Sequence, residues 1–218
     1  MNNPIKTTFC SNTLCMAVTY KDTLFLASET LNFILLKNKP IFYKSEDKIP
    51  ENIFVIPVET RNIFVTAIGL DDINGISIKI FLSEIKITQD MSLSEISLKM
   101  QEKINDMAEN IDSLSSIEIK LYEFVDKDTS PALISENFTY DFGNRNVVTT
   151  GKEQSMKHTE ISSVDIFIEE EYSLDEIIDY INNAFKENEL KSGYNETEDI
   201  KNRVKILKIT PQNYKWIQ

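Results

Sequence analysis

The succession of hydrophobic periods along this chain predicts an α+β fold in which two sheets pack face to face and helix pairs cover them. Three observations carry the prediction. Period-two runs and 3.6-period stripes follow one another in the order strands, two helices, strands, one or two helices, strands. Two helix starts bear the capping-box form, Ser92-x-x-Glu95 and Ser173-x-x-Glu176. The 218 residues are 41% apolar and 10% aromatic with no linker dividing them, so one core-forming domain accommodates the pattern.

Residues 14–28 read as a β-hairpin in which Leu14, Met16, Val18 and Tyr20 share one face, Lys21-Asp22 turn the chain, and Thr23 to Ala27 return. Apolar residues on both faces predict burial on both sides. A second hairpin runs from Ile53 to Ile56 and from Asn62 to Ile68, punctuated by Pro57, Glu59 and Thr60 and closed by Gly69. After Asp71-Asp72, whose charges favour a helix start, Ile73, Ile76, Ile80 and Ile87 with Phe81 predict a helical stripe. The Ser92 box opens a second helix carrying Ile96, Met100, Ile104 and Met107 on one face, adjacent and antiparallel to the first. Ile117 to Val125, where Ile117, Ile119 and Leu121 alternate with Glu118 and Lys120, and Leu133 to Thr139 read as strands joined by the turn Asp126 to Pro131. Gly151 to His158 is a short candidate helix, and the Ser173 box opens another with Ile177, Ile181, Ala184 and Phe185 on one face. Asn188 to Asp199 reads as a polar loop, and Val204 to Ile209 with Tyr214 to Ile217 as a last hairpin around Pro211.

A net charge of −12 gives no basic footprint for a phosphate backbone, which argues against a nucleic-acid partner. Apolar runs such as Phe33 to Leu36 are far short of the roughly 18 residues of a membrane span, and the polar start at Asn2, Asn3 and Lys6 lacks a signal-peptide apolar region. A soluble intracellular protein is expected. Cys10 and Cys15 stand at a spacing that matches no common metal or redox motif and read as free thiols. Only 5 glycines are present where average usage of about 7% would supply about 15, leaving little material for glycine-rich phosphate or oxyanion cradles. The sole histidine, His158, follows a polar segment, and the acidic run Asp165 to Glu171 lacks calcium-loop spacing and reads as a solvated face. No cofactor and no metal is expected.

The opening hairpin Leu14 to Glu29, the strand end Thr66-Ala-Ile-Gly-Leu-Asp-Asp72 leading into a helix, and Tyr172-Ser-Leu-Asp-Glu-Ile177 opening a late one resemble, in this order, the proteasome β-type subunits of the N-terminal-nucleophile hydrolase superfamily. The resemblance runs from about Ser11 to Gln218. It implies a four-layer αββα sandwich of two antiparallel sheets flanked by helix pairs, with residues 1–12 as an N-terminal extension and 13–218 as one β-type domain. Active members of that family cut themselves between a glycine and a threonine, and the freed α-amine, with a pKa of about 7.7–8.0, serves as base for the threonine hydroxyl. The register of the hairpin places Thr13 at the nucleophile position, Glu29 at the position of the acidic tuner, and Lys48 as the nearest candidate lysine, with Asn52 there in an alternative register.

Each of these positions departs from the family pattern. Asn12 replaces the glycine that autocleavage uses, so Thr13 stays internal, and Glu29 is a methylene longer than aspartate, at a place where about 1 Å can cost 10²-fold. Of the late glycine- and serine-rich loop, Thr149 to Gln154 keeps one glycine. The departures resemble the unprocessed, non-catalytic β subunits, most of all the beta-three type, through Gly69-Leu70-Asp71-Asp72 and the strand close to the C-terminus. The resemblance then implies a structural subunit of a 20S proteasome β ring in cytoplasm and nucleus, with β subunits on both sides, α-ring subunits and the opposed β ring as partners. Glu29 and Lys48 would form an ion pair, and Tyr214 and Trp216 are interface candidates, core being the equal alternative for them. The rival readings are a threonine protease subunit activated by removal of residues 1–12 to expose Thr13, and a hydrolase of simpler ring architecture assembled from copies of itself.

Overall fold

The computed structural model describes residues 8–10, 15–29, 31–36, 39–44, 52–70, 72–108, 116–127, 130–148, 163–168, 171–192 and 200–218. The opening hairpin is β2 (Cys15–Tyr20) and β3 (Thr23–Glu29), turned at Lys21, whose φ is 51°. Before and after it, β1 (Thr8–Cys10), β4 (Leu31–Leu36) and β5 (Lys39–Lys44) form a small antiparallel sheet in the order β1-β4-β5. The second hairpin is β6 (Ile53–Val58) and β7 (Arg61–Ile68). Its first strand runs on through Pro57 to Val58 rather than ending at Ile56. Pro57 is tolerated because β6 is an edge strand, where no neighbour asks for the missing amide proton.

The stretch after Asp72 departs most from the sequence reading. Instead of a helix from Asp71, the chain makes a miniature hairpin, β8 (Asp72–Ile73) and β9 (Ile76–Ser77), around Asn74-Gly75, and only then the short helix α1 (Ile78–Ser83). With φ of 55° and 79°, Asn74 and Gly75 form a two-residue turn with both central residues left-handed, the conformation this dipeptide favours above all. Ile78, Phe81, Leu82 and Ile85 point inward, and Ile80 is exposed, so the buried face differs from the predicted stripe. The helix α2 (Leu93–Met107) fulfils its prediction: Ser92 and Glu95 form the full capping box, and Ile96, Met100 and Ile104 are buried. Lys103 reaches from α2 to Glu84 beside α1 at 2.5 Å.

The long hairpin β10 (Ser116–Lys127) and β11 (Ser130–Asp141) stays paired to Lys127 opposite Ser130, so the predicted six-residue turn is mostly strand. A short strand β12 (Asn146–Val148) follows. The candidate helix Gly151 to His158 lies outside the described residues. Within the acidic run, Asp165 lies in a strand, β13 (Ser163–Ile168), joined in parallel to β2, and the Glu171 side chain is exposed. Helix α3 (Leu174–Ser192) begins at the Ser173 box and extends past Asn188 into the predicted loop, α4 (Ile200–Arg203) is a single turn, and β14 (Val204–Ile209) and β15 (Tyr214–Trp216) close the chain.

Two five-stranded sheets result, β12-β11-β10-β7-β6 and β13-β2-β3-β14-β15, antiparallel except where β13 meets β2. Alternation along each strand sorts the core into three layers. Ile63, Val65, Ala67, Ile117, Ile119 and Leu121 meet α1 and α2. Met16, Val18, Phe25, Ala27, Val204 and Ile206 meet Ile177, Ile181 and Phe185 of α3. Between the sheets, Ala17, Leu24, Leu26 and Leu207 of one face Ile53, Phe64, Ile68 and Tyr122 of the other. Three apolar layers separated by two sheets define a four-layer αββα sandwich, the class that the order of periods predicted.

Candidate functional site

The end of the sandwich where the opening hairpin finishes gathers several of the buried polar groups, among them Ser28, Asn52, Thr66, Lys120 and Arg203. Strand β3 alternates as the core requires: Leu24 and Leu26 face the other sheet, Phe25 and Ala27 face α3. Continued by two residues, that alternation sends Ser28 inward between the sheets and Glu29 outward to the helical layer. The contacts follow. Ser28 Oγ accepts from Asn52 Nδ2 at 2.7 Å, a hydrogen bond from one sheet to the other. Glu29 Oε1 stands 3.9 Å from the guanidinium of Arg203 in α4, and the two side chains are 11% and 2% exposed.

Two further residues belong to the same inter-sheet end. Lys120 and Thr66 oppose each other on β10 and β7, both buried, and share the strand faces of Tyr122 and Phe64. Lys120 Nζ lies 3.7 Å from Glu118 Oε1 on its own strand. Cys15, buried on β2, opposes Ser28 of β3. Gly69 fixes how closely the strands approach here: its φ is 119°, and a Cβ on it would stand 2.2 Å from the Ser116 carbonyl oxygen. A side chain at that position is excluded both by backbone conformation and by space.

Chemically, this end holds charge in pairs and hydroxyls in fixed hydrogen bonds. The Ser28 hydroxyl accepts from a carboxamide, which cannot take its proton as a general base would, and donates to the Glu29 carbonyl at 3.4 Å. Glu29 is directed to Arg203 on the far side of the sheet from Ser28. Of the residues the sequence singles out, Thr13 and Lys48 lie outside the described residues. Glu29 does form an ion pair, with Arg203 as its partner among the described residues. The alternative position, Asn52, is the one that reaches between the sheets.

The opposite end of the sandwich is an open cleft of about 460 Å³, lined by residues such as Arg61, Gln89, Glu123, Pro131, Gln212 and Tyr214. Arg61 Nη1 donates to both Glu123 carboxylate oxygens at 2.9 and 3.1 Å, and Nη2 donates to the Met91 and Thr88 carbonyls at 2.5 and 3.2 Å. The two aromatic interface candidates divide here. Trp216 packs partly buried against the inter-sheet layer, while Tyr214 is 42% exposed and meets Phe64 edge to face at 5.5 Å. Among the described residues no cluster of three or more His, Cys, Asp or Glu side chains is disposed to hold a metal ion, and no helix is long and apolar enough to cross a membrane. Compared with known proteins, the chain matches no family model and no curated protein.

Proposed function

We propose that this chain is a non-catalytic, structural β-type subunit of a 20S proteasome ring, helping to enclose the chamber in which intracellular proteins are degraded. The observation that carries the reading is the outward turn of Glu29. In the resemblance drawn from the sequence, an acidic residue at the end of the opening hairpin tunes the nucleophile. Here the carboxylate is tied to Arg203 in the helical layer, and the inward place is taken by Ser28 with Asn52. The αββα layering is the architecture that the same resemblance implies. In this reading the subunit touches β neighbours on both sides, α-ring subunits and the opposed β ring, in cytoplasm and nucleus. Side contacts in such a ring are heterologous and close only when each subunit's two side surfaces match its neighbours.

The test is native purification of the tagged chain from its own cells, followed by mass spectrometry of the particle and labelling with an electrophile that acylates N-terminal threonines. The reading predicts a particle of several distinct chains in which others take the label and this one does not. Labelling of this chain at Thr13 would support the threonine-protease reading instead. A particle built of copies of this chain alone would support the self-assembled hydrolase.

A further inference from the structure

We propose that Asn74 is a site of spontaneous deamidation that the fold holds closed, and that its conversion frees the C-terminal end of α2. The inference holds whatever the chain assembles with. Asn74-Gly75 is the one Asn-Gly step in the sequence, and glycine, lacking a Cβ, leaves its amide nitrogen the most open to reaction with a preceding asparagine. The Gly75 nitrogen gives up its proton and bonds to Asn74 Cγ, the Cγ–Nδ2 bond breaks, and the nitrogen departs with a proton as ammonia. Water then opens the cyclic imide at either carbonyl, leaving aspartate or isoaspartate at position 74. Nothing is oxidised or reduced, and water is the only co-reactant.

Both residues are exposed, so water and base have access, yet three features hold the reacting groups apart. The Gly75 N–H donates to Asp72 Oδ1 at 2.7 Å, and an amide facing a carboxylate resists acquiring a second negative charge. The Asn74 Nδ2 donates to the Met107 carbonyl, which fixes the carboxamide away from the Gly75 nitrogen. The turn itself, with φ of 55° at Asn74, sets ψ near about 30°, far from the rotation that closes a five-membered ring.

The same contacts say what the reaction would release. Met107 is the last residue of α2, and its carbonyl is one of those a helix leaves without an internal partner. Its donor here is the Asn74 carboxamide, and α2 has no basic residue in its last turn. Either product replaces that donor with a carboxylate at the negative end of the helix dipole, and isoaspartate also lengthens the turn by a methylene.

The experiment is incubation of the full chain at mildly alkaline pH, with peptide mapping by mass spectrometry for the mass gain at Asn74 and isoaspartate-specific methylation for the product. The folded chain is expected to convert at least roughly tenfold more slowly than the chain in urea, and Asp72→Ala to regain roughly tenfold of rate, since a hydrogen bond to a charged group is lost. Circular dichroism establishes that the variant is folded. Equal rates for the folded and the urea-unfolded chain overturn the proposal, as does a folded Asp72→Ala that converts no faster than the parent. Should Asp72→Ala fail to fold, the comparison of folded and unfolded parent chain decides alone. Hydrogen exchange at Ile104 to Ala108 is expected to quicken in the converted fraction, and unchanged exchange there would overturn the claimed release of α2.

Discussion

Replacing Arg61 by Met should be among the most destabilising single changes to a charged residue in this protein. The Arg61 side chain is 16% exposed and that of Glu123 is 4%, and the guanidinium also holds two backbone carbonyls of the segment leading into α2. Removing one partner of a buried pair costs about 3–5 kcal/mol, because the remaining charge has left water without compensation. The partial exposure of Arg61 puts the figure near the lower end, about 3 kcal/mol. With a urea m-value of about 2–3 kcal/mol/M, the midpoint should fall by about 1–1.5 M with m unchanged. Trp216 is the single tryptophan and packs against the inter-sheet layer, so its fluorescence reports the transition. Glu123→Leu should cost less, about 2 kcal/mol, since Arg61 keeps its two carbonyls. The double variant should be more stable than Arg61→Met alone, because no charge remains buried without a partner. A midpoint for Arg61→Met within about 0.2 M of the parent, or a double variant less stable than both singles, would refute this account of the pair.

Gly69→Ala should unfold the β7–β10 junction or cost more than about 3 kcal/mol, because a Cβ would collide with the Ser116 carbonyl at a φ that L-residues avoid; thermal unfolding of the variant checks it. Ile96→Ala should cost about 2–5 kcal/mol in a urea titration, since the side chain is fully buried between α2 and its sheet. The carboxyls of Glu95 and Glu176 are held below the ordinary glutamate value by the backbone amides and then the hydroxyls of Ser92 and Ser173. A depressed folded-state pKa gives stabilisation that is complete above the unfolded value of about 4.3 and is lost as pH falls through the folded one. Glu176→Gln should therefore lower the melting temperature at neutral pH and match the parent in strong acid; an equal deficit at both pH values would contradict the assignment.

Those two capping boxes show what the sequence made readable. Ser92-x-x-Glu95 and Ser173-x-x-Glu176 act within one turn, so three residues decide the outcome and no distant partner intervenes. The helix expected directly after Asp72 gives way for an equally local reason: the Asn74-Gly75 turn outweighs an isoleucine stripe whose members, Ile73 and Ile76, pair across the miniature hairpin. Strand β13 is hidden because Asp165 sits in it, and its pairing with β2 links residues about two thirds of the chain apart. On β10 the sequence showed the alternation but not its meaning. Glu118, Lys120, Tyr122 and Phe124 share a face, and the aromatic members of that series mark it as an inter-sheet face, polar at the end where the buried groups gather. The pairing of Glu29 with Arg203 could not be read at all, since it joins β3 to α4 across most of the sequence. The parity that turns Glu29 away from Ser28 was nonetheless present in Phe25 and Ala27 against Leu24 and Leu26.

The reading of the chain as a non-catalytic ring component turns on whether residues 1–12 stay attached. The decisive measurement is the intact mass and N-terminal sequence of this chain taken from its native particle. The account predicts that Thr13 is internal, preceded by Asn12, in a particle containing other kinds of chain. A chain that begins at Thr13 would contradict it and make that threonine a working nucleophile.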